Sequence, residues 1–179
     1  MRMPLSEPAR LPPAPYEALP PPSPADALAR GEDRDAYENL RRRMVAQIRP
    51  ADVVEEVLVG DFCDLVWEAA RLRRIRARQL ESLAHLGVAQ VLGPHLPVVG
   101  ARDLGEGWAR RDAAALRRVD ESLAKSGLTM EHVAARTFAL QIDDMERIDR
   151  LIAATETRRA TALREIERHR AALARHLPP

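Results

Sequence analysis

Lysine is almost missing from this chain: of 28 basic residues only Lys125 is not an arginine. The net charge is only +1, so no global field draws the chain toward nucleic acid or an acidic membrane. Cysteine occurs once, as Cys63, which excludes an intramolecular disulfide and fits a reducing cytoplasm. Asp61 and Asp64 flank that thiol, and neighbouring carboxylates raise a thiol pKa. Cys63 therefore reads as structural rather than nucleophilic. Aromatic residues are only 3% of the chain, and a vocabulary of Ala, Leu and Arg favours helix over sheet.

Catalytic signatures are missing as well. The five histidines (His85, His95, His132, His169 and His176) form no HExxH spacing, and no second cysteine completes a zinc site. "GARDLGEGWARRD" is glycine-rich but lacks the GK[ST] of a phosphate loop. No G-x-S-x-G occurs. The expectation is a protein that is not an enzyme and holds no cofactor or metal. One acidic cluster, Asp143, Asp144, Glu146 and Asp149, has the composition of a divalent-cation site. Asp143 with Arg147 and Glu146 with Arg150 are also i,i+4 pairs in the favourable order, which would satisfy the acids locally.

No apolar leader is visible where the first prolines stand, and the uncharged segment 82–101 contains Pro94 and Pro97, which break a spanning helix. A cytoplasmic protein with no membrane segment is expected.

Nine of 14 prolines fall in the first 24 residues, so 1–30 reads as a disordered tail. Pro12 and Pro15, and again Pro21 and Pro24, have the PxxP spacing of ligands for proline-recognising domains. The rest, 31–177, reads as one all-α domain. Tyr37, Leu40, Met44 and Ile48 mark a helix over 33–48, closed by Pro50. Asp52 as N-cap with Glu55 three residues on opens a helix over 52–85. Its apolar positions are Val54, Leu58, Phe62, Leu65, Ala69, Leu72, Ile75 and Leu80. Gly60 within it suggests a close approach or a kink. A loop over 93–107 leads to a helix over 108–125, then the turn "KSGLT", with Gly127 after the helix end and Thr129 as the next N-cap. A last helix is expected over 130–176.

The stretches "GEDRDAYENLRRRM", "RPADVVEEVLVGDFCDLVWEAARLRRIRARQL" and "QIDDMERIDRLIAATETRRATALREIERHRAALA" resemble a group of uncharacterised, Arg- and Ala-rich helical bacterial proteins. The likeness spans about Gly31 to Ala174. It implies that the two long helices belong to one recurring unit, and it carries over no activity and no site residues.

Charge order says how those helices would meet. Both begin acidic and end basic, so antiparallel packing sets acid beside base at each end, giving an elongated hairpin or bundle. The final helix offers a seam of Ile142, Met145, Ile148, Ile152, Leu163, Ile166 and Leu173 for a partner helix, and the same logic permits a homodimer. The leading functional expectation is a self-associating interaction or scaffold protein. The alternative is a DNA-binding accessory or regulatory protein of a phage or mobile element. It would use Arg41, Arg42, Arg43, Arg158, Arg159, Arg164 and Arg168 on phosphates, with "VDESLAKSGLTMEHVAARTFAL" as a helix-turn-helix outline.

Overall fold

In the computed structural model, which describes residues 27–96 and 98–176, every regular element is helical among the described residues. Helix α1 (Arg34–Ile48) starts where the Asp33 carboxylate accepts the N–H of Ala36. It stops at Arg49, whose φ of 52° is left-handed, just before Pro50. Helix α2 (Val53–Leu92) opens on Asp52, which accepts the Glu55 N–H at 2.9 Å. The Glu55 carboxylate reaches back to the N–H of Ala51, one residue earlier than a capping box would take it.

Helix α2 runs past the expected end at 85 to Leu92, because Val88 and Leu92 are buried in a core of their own. A single 3₁₀ turn, Gly93–His95, follows. The expected loop over 93–107 contains most of helix α3 (Val98–Ala109). Glycine is a poor helix former and α3 holds three, yet one of them, Gly105, lets α3 lie against α2. A Cβ there would stand 2.6 Å from the His85 carbonyl oxygen. Packing overrides propensity here. The expected helix over 108–125 is divided at Arg111, which is left-handed at φ 63°. Helix α4 (Ala113–Lys125) begins anew on Asp112, whose carboxylate accepts the N–H groups of Ala114 and Ala115.

Gly127 (φ 67°) turns the chain, and His132 Nδ1 accepts the Thr129 N–H to cap helix α5 (Met130–Leu140). The expected single helix over 130–176 is interrupted at Gln141 (φ −116°, ψ 16°), after which helix α6 (Ile142–His176) begins. No glycine or proline marks this break. α5 and α6 each pack on α2 and scarcely touch one another.

Both run along α2 in the opposite direction. Val133 and Thr137 meet α2 at Gly87, and then Gln79 reaches Asp144, Arg76 faces Asp149, Arg73 pairs with Glu156 and Glu68 with Arg158. At the far end Glu55 holds Arg170 and Asp52 holds His169. The more exposed of these pairs are worth about 0–1 kcal/mol each, so they set register more than stability. Stability comes from two apolar cores. One joins Val88, Leu92, Leu104, Ala115, Val119, Leu123 and Val133 from α2, α3, α4 and α5. The other joins Val59, Cys63 and Ile166, with Met44, Ile48 and Leu58 packed on it, from α1, α2 and α6. A fully buried aliphatic side chain contributes roughly 1.5–3 kcal/mol.

In the first half of α2 the deepest positions are Glu55, Val59, Cys63, Leu65 and Ala69, whereas Val54 and Ile75 from the expected stripe are exposed. α1 and α6 flank α2 together, so the buried arc is turned relative to the one a single partner would cover. Burial, and secondarily the Asp64 charge, pushes the Cys63 thiol up to about 11, in keeping with a structural cysteine.

The assigned tail falls outside the described residues as far as residue 26. Ala27 to Arg30 belong instead to a turn tied to α2. Arg71 donates to the Ala27 carbonyl, and Glu32 accepts from Arg71, Arg74, Trp67 Nε1 and the Ala29 N–H. Arg74 sits 5.1 Å over the Trp67 ring, and Tyr37 meets that ring edge-on at 5.5 Å. Hydrogen bonding from Arg71, with smaller help from Trp67 and Ala29, outweighs burial and holds the Glu32 carboxyl at about 2, below its ordinary 4.5. A carboxyl depressed by folding contributes stability above its unfolded pKa and loses it as pH falls through the folded one. Stability should therefore fall between about pH 4.5 and pH 2, by on the order of 2–3 kcal/mol from this group. In Glu32→Gln that acid-limb component should vanish. Urea unfolding at several pH values measures it, and an unchanged acid limb in the variant would refute the assignment.

Candidate interaction surface

Where α1 turns back along α2 the two helices leave a groove that no described residue of α6 lines. Its volume is about 580 Å³. Val45, Ala46 and Pro50 form one apolar wall, Gly60 lies on the floor, and Arg41, Arg42, Glu38 and Glu56 stand at the rim. Val53 and Val57 do not line the groove but precede Gly60 on the same face of α2, at spacings of seven and three. Val53 is 70% exposed, Val57 49% and Val45 40%. β-Branched residues are poor surface helix formers, yet among the described residues these three keep much of their surface in solvent. Gly60 was expected to mark a kink or a close approach. No close approach occurs there among the described residues: α2 continues through it, and a Cβ would meet nothing within 4 Å.

Glu55 is fully buried and receives both Nε and Nη2 of Arg170 at 2.9 Å, while Arg170 also donates to the Ile48 carbonyl. Arg170, then the Ala51 N–H, lowers the Glu55 pKa. Beside it His169 Nε2 lies 2.7 Å from Asp52 Oδ2. The end of α6 thus fixes the corner between α1 and α2. The paired use of Glu55 as cap and as counter-ion was not visible from local spacing, because Arg170 lies 115 residues away in sequence.

The seven seam positions of α6 divide. Met145 and Ile166 are buried within the chain, Ile148 and Ile152 are half-buried, and Ile142, Leu163 and Leu173 are exposed. α2 already occupies the seam, and the three exposed residues are too widely spaced to form a continuous apolar strip. Of the arginines named for phosphate, Arg158 pairs with Glu68, Arg168 with Glu165 and Arg164 with the Thr161 hydroxyl. Arg159 lies half-buried along the seam, and Arg42 and Arg43 are exposed on α1 beside the partly buried Arg41.

Helix α5, second in the helix-turn-helix outline, turns Val133 and Thr137 inward. Its outward residues include Met130, Glu131, Ala134, Ala135 and Phe138, and its one arginine, Arg136, donates to Gln90. The acidic cluster is dispersed: Asp144 pairs with Arg147, Glu146 with Arg150, and Asp149 faces Arg76 across the helix pair. Arg147 thus takes Asp144 rather than the expected Asp143, an i,i+3 partner in place of i,i+4. No group of three or more metal-capable side chains converges among the described residues. A second cleft, about 530 Å³, lies where α2 and α3 meet the α5–α6 break, but its Arg102 is taken by Glu106 and its His85 by the Ser82 carbonyl. No helix among the described residues is long and apolar enough to cross a membrane. No protein-family model, curated protein or solved structure matches this chain.

Proposed function

We propose that the chain is a non-enzymatic helical interaction or scaffold protein that self-associates, built on an elongated hairpin of α2 with α5 and α6. The observation that carries this reading is the α1–α2 groove. Among the described residues it lies open, with Val45, Ala46 and Pro50 on its α1 side and the exposed Val53 and Val57 beside Gly60 on α2. Its rim is charged but holds no converging nucleophile, base or metal-ligand set, which suits docking rather than chemistry.

Binding to DNA is the competing reading, and it has less support. Three of its seven arginines have partners within the chain, and the outward face of α5 is mostly apolar or acidic. Light scattering over a wide concentration range, run beside retention on duplex DNA at low and high salt, separates the two. Mass should rise toward a dimer with concentration, and DNA retention should be weak. A strictly monomeric mass removes self-association. Strong retention that collapses steeply with added salt replaces it with phosphate binding.

A further inference from the structure

We infer that the occupant of the α1–α2 groove is the same groove of a second copy, packed across Gly60. This rests on the self-association proposed above and assigns it a face.

Two glycines of the fold show what such a residue does at a helix crossing. At Gly87 a Cβ would lie 2.7 Å from the Val133 carbonyl oxygen of α5, and at Gly105 one would lie 2.6 Å from the His85 carbonyl oxygen of α2. Each admits another helix backbone to a distance that alanine forbids. Gly60 is the other glycine inside α2, and it stands with nothing within 4 Å. An interior glycine costs a helix about 1 kcal/mol relative to alanine. At Gly60 no close contact among the described residues offsets that cost, and a helix of a partner crossing the groove would supply one.

The choice of a second copy comes from charge. An isologous contact must be complementary to itself, so its patch needs both signs. Arg41 and Arg42 stand on the α1 side of the groove and Glu56 on the α2 side, and none of the three has an ion-pair partner among the described residues. Glu38 is already paired with Arg34. A two-fold axis through the groove sets the arginines of each copy against Glu56 of the other. The apolar part of the contact is then Val45, Ala46, Pro50 and Gly60 of the groove, with the exposed Val53 and Val57 beside it on α2 and the charges alongside, the composition of a specific interface.

The experiment uses the full chain and sedimentation velocity over a concentration series. Gly60→Leu should weaken the dimer by more than about tenfold, ~1.4 kcal/mol, while the monomer keeps or raises its Tm. A merely structural glycine would give the reverse. Glu56→Arg and the double variant Arg41→Glu/Arg42→Glu should each be monomeric alone, and an equimolar mixture of the two should dimerise. If Gly60→Leu lowers the monomer Tm, the mixing result decides by itself. A wild type that dimerises, with Gly60→Leu dimerising equally well or the mixture staying monomeric, overturns this face and leaves self-association standing. A wild type that stays monomeric throughout overturns both.

Discussion

Gly105→Ala and Gly87→Ala should each destabilise the fold by ~1–3 kcal/mol, whereas Gly60→Ala should stabilise it by ~0.5–1 kcal/mol. The chemical change is identical in all three, and each glycine lies within a helix, so the gain in helix propensity is shared. The difference lies in what the added methyl meets. At Gly105 it meets the His85 carbonyl of α2, and at Gly87 the Val133 carbonyl of α5. Backbone in a packed helix cannot rotate away as a side chain can, so a whole helix must shift and its core contacts loosen. At Gly60 the methyl enters open groove. For a chain of this size each kcal/mol moves Tm by about 2–4 °C, so calorimetry on the monomer resolves the ordering. Equal Tm values for Gly105→Ala and Gly60→Ala would mean that α3 does not pack on α2 as described.

The second large effect concerns the helix pair. Ile166→Ala should cost ~2–5 kcal/mol, while Leu163→Ala should stay within about 0.5 kcal/mol of wild type. Both residues belong to the apolar seam read from the sequence of the last helix. Ile166 is buried with Val59 and Cys63 beneath Met44, Ile48 and Leu58, so truncation leaves a cavity among three helices. Leu163 faces outward. Chemical denaturation below the concentration of any self-association measures the chain alone. Should Leu163→Ala prove the costlier change, α6 would be rotated about its axis relative to the packing described here.

Those two leucine and isoleucine positions also show where local pattern stops being informative. Spacings of three and four place a residue on a face, but the width of the buried arc depends on how many neighbours share it. α2 has α1 and α6 at one end and α3, α4 and α5 at the other. The buried side of its first half therefore centres on Val59 and Cys63, and Val54, a good seam residue by spacing, is left exposed. The break at Gln141 has the same origin. Local sequence contains no glycine or proline there, and α5 and α6 are each placed by their own contacts with α2. Conversely, the glycines of 93–107 argued locally for a loop, and only contact with α2 makes α3 a helix.

What local chemistry could determine, the sequence determined alone. It set the helical class, through abundant Ala, Leu and Arg and few aromatics. It also set the starts of α1, α2 and α5 at Asp33, Asp52 and Thr129, and the turn at Gly127, because caps and left-handed glycines act within four residues. The tertiary structure decided what depends on partners far apart in the chain. It gave Glu55 to Arg170 and Glu32 to Arg71, turned Met145 and Ile166 inward, and among the described residues left Val53 and Val57 beside Gly60 exposed. The physical reason is range: hydrogen-bond caps are local, but burial exists only once another helix arrives to exclude the water.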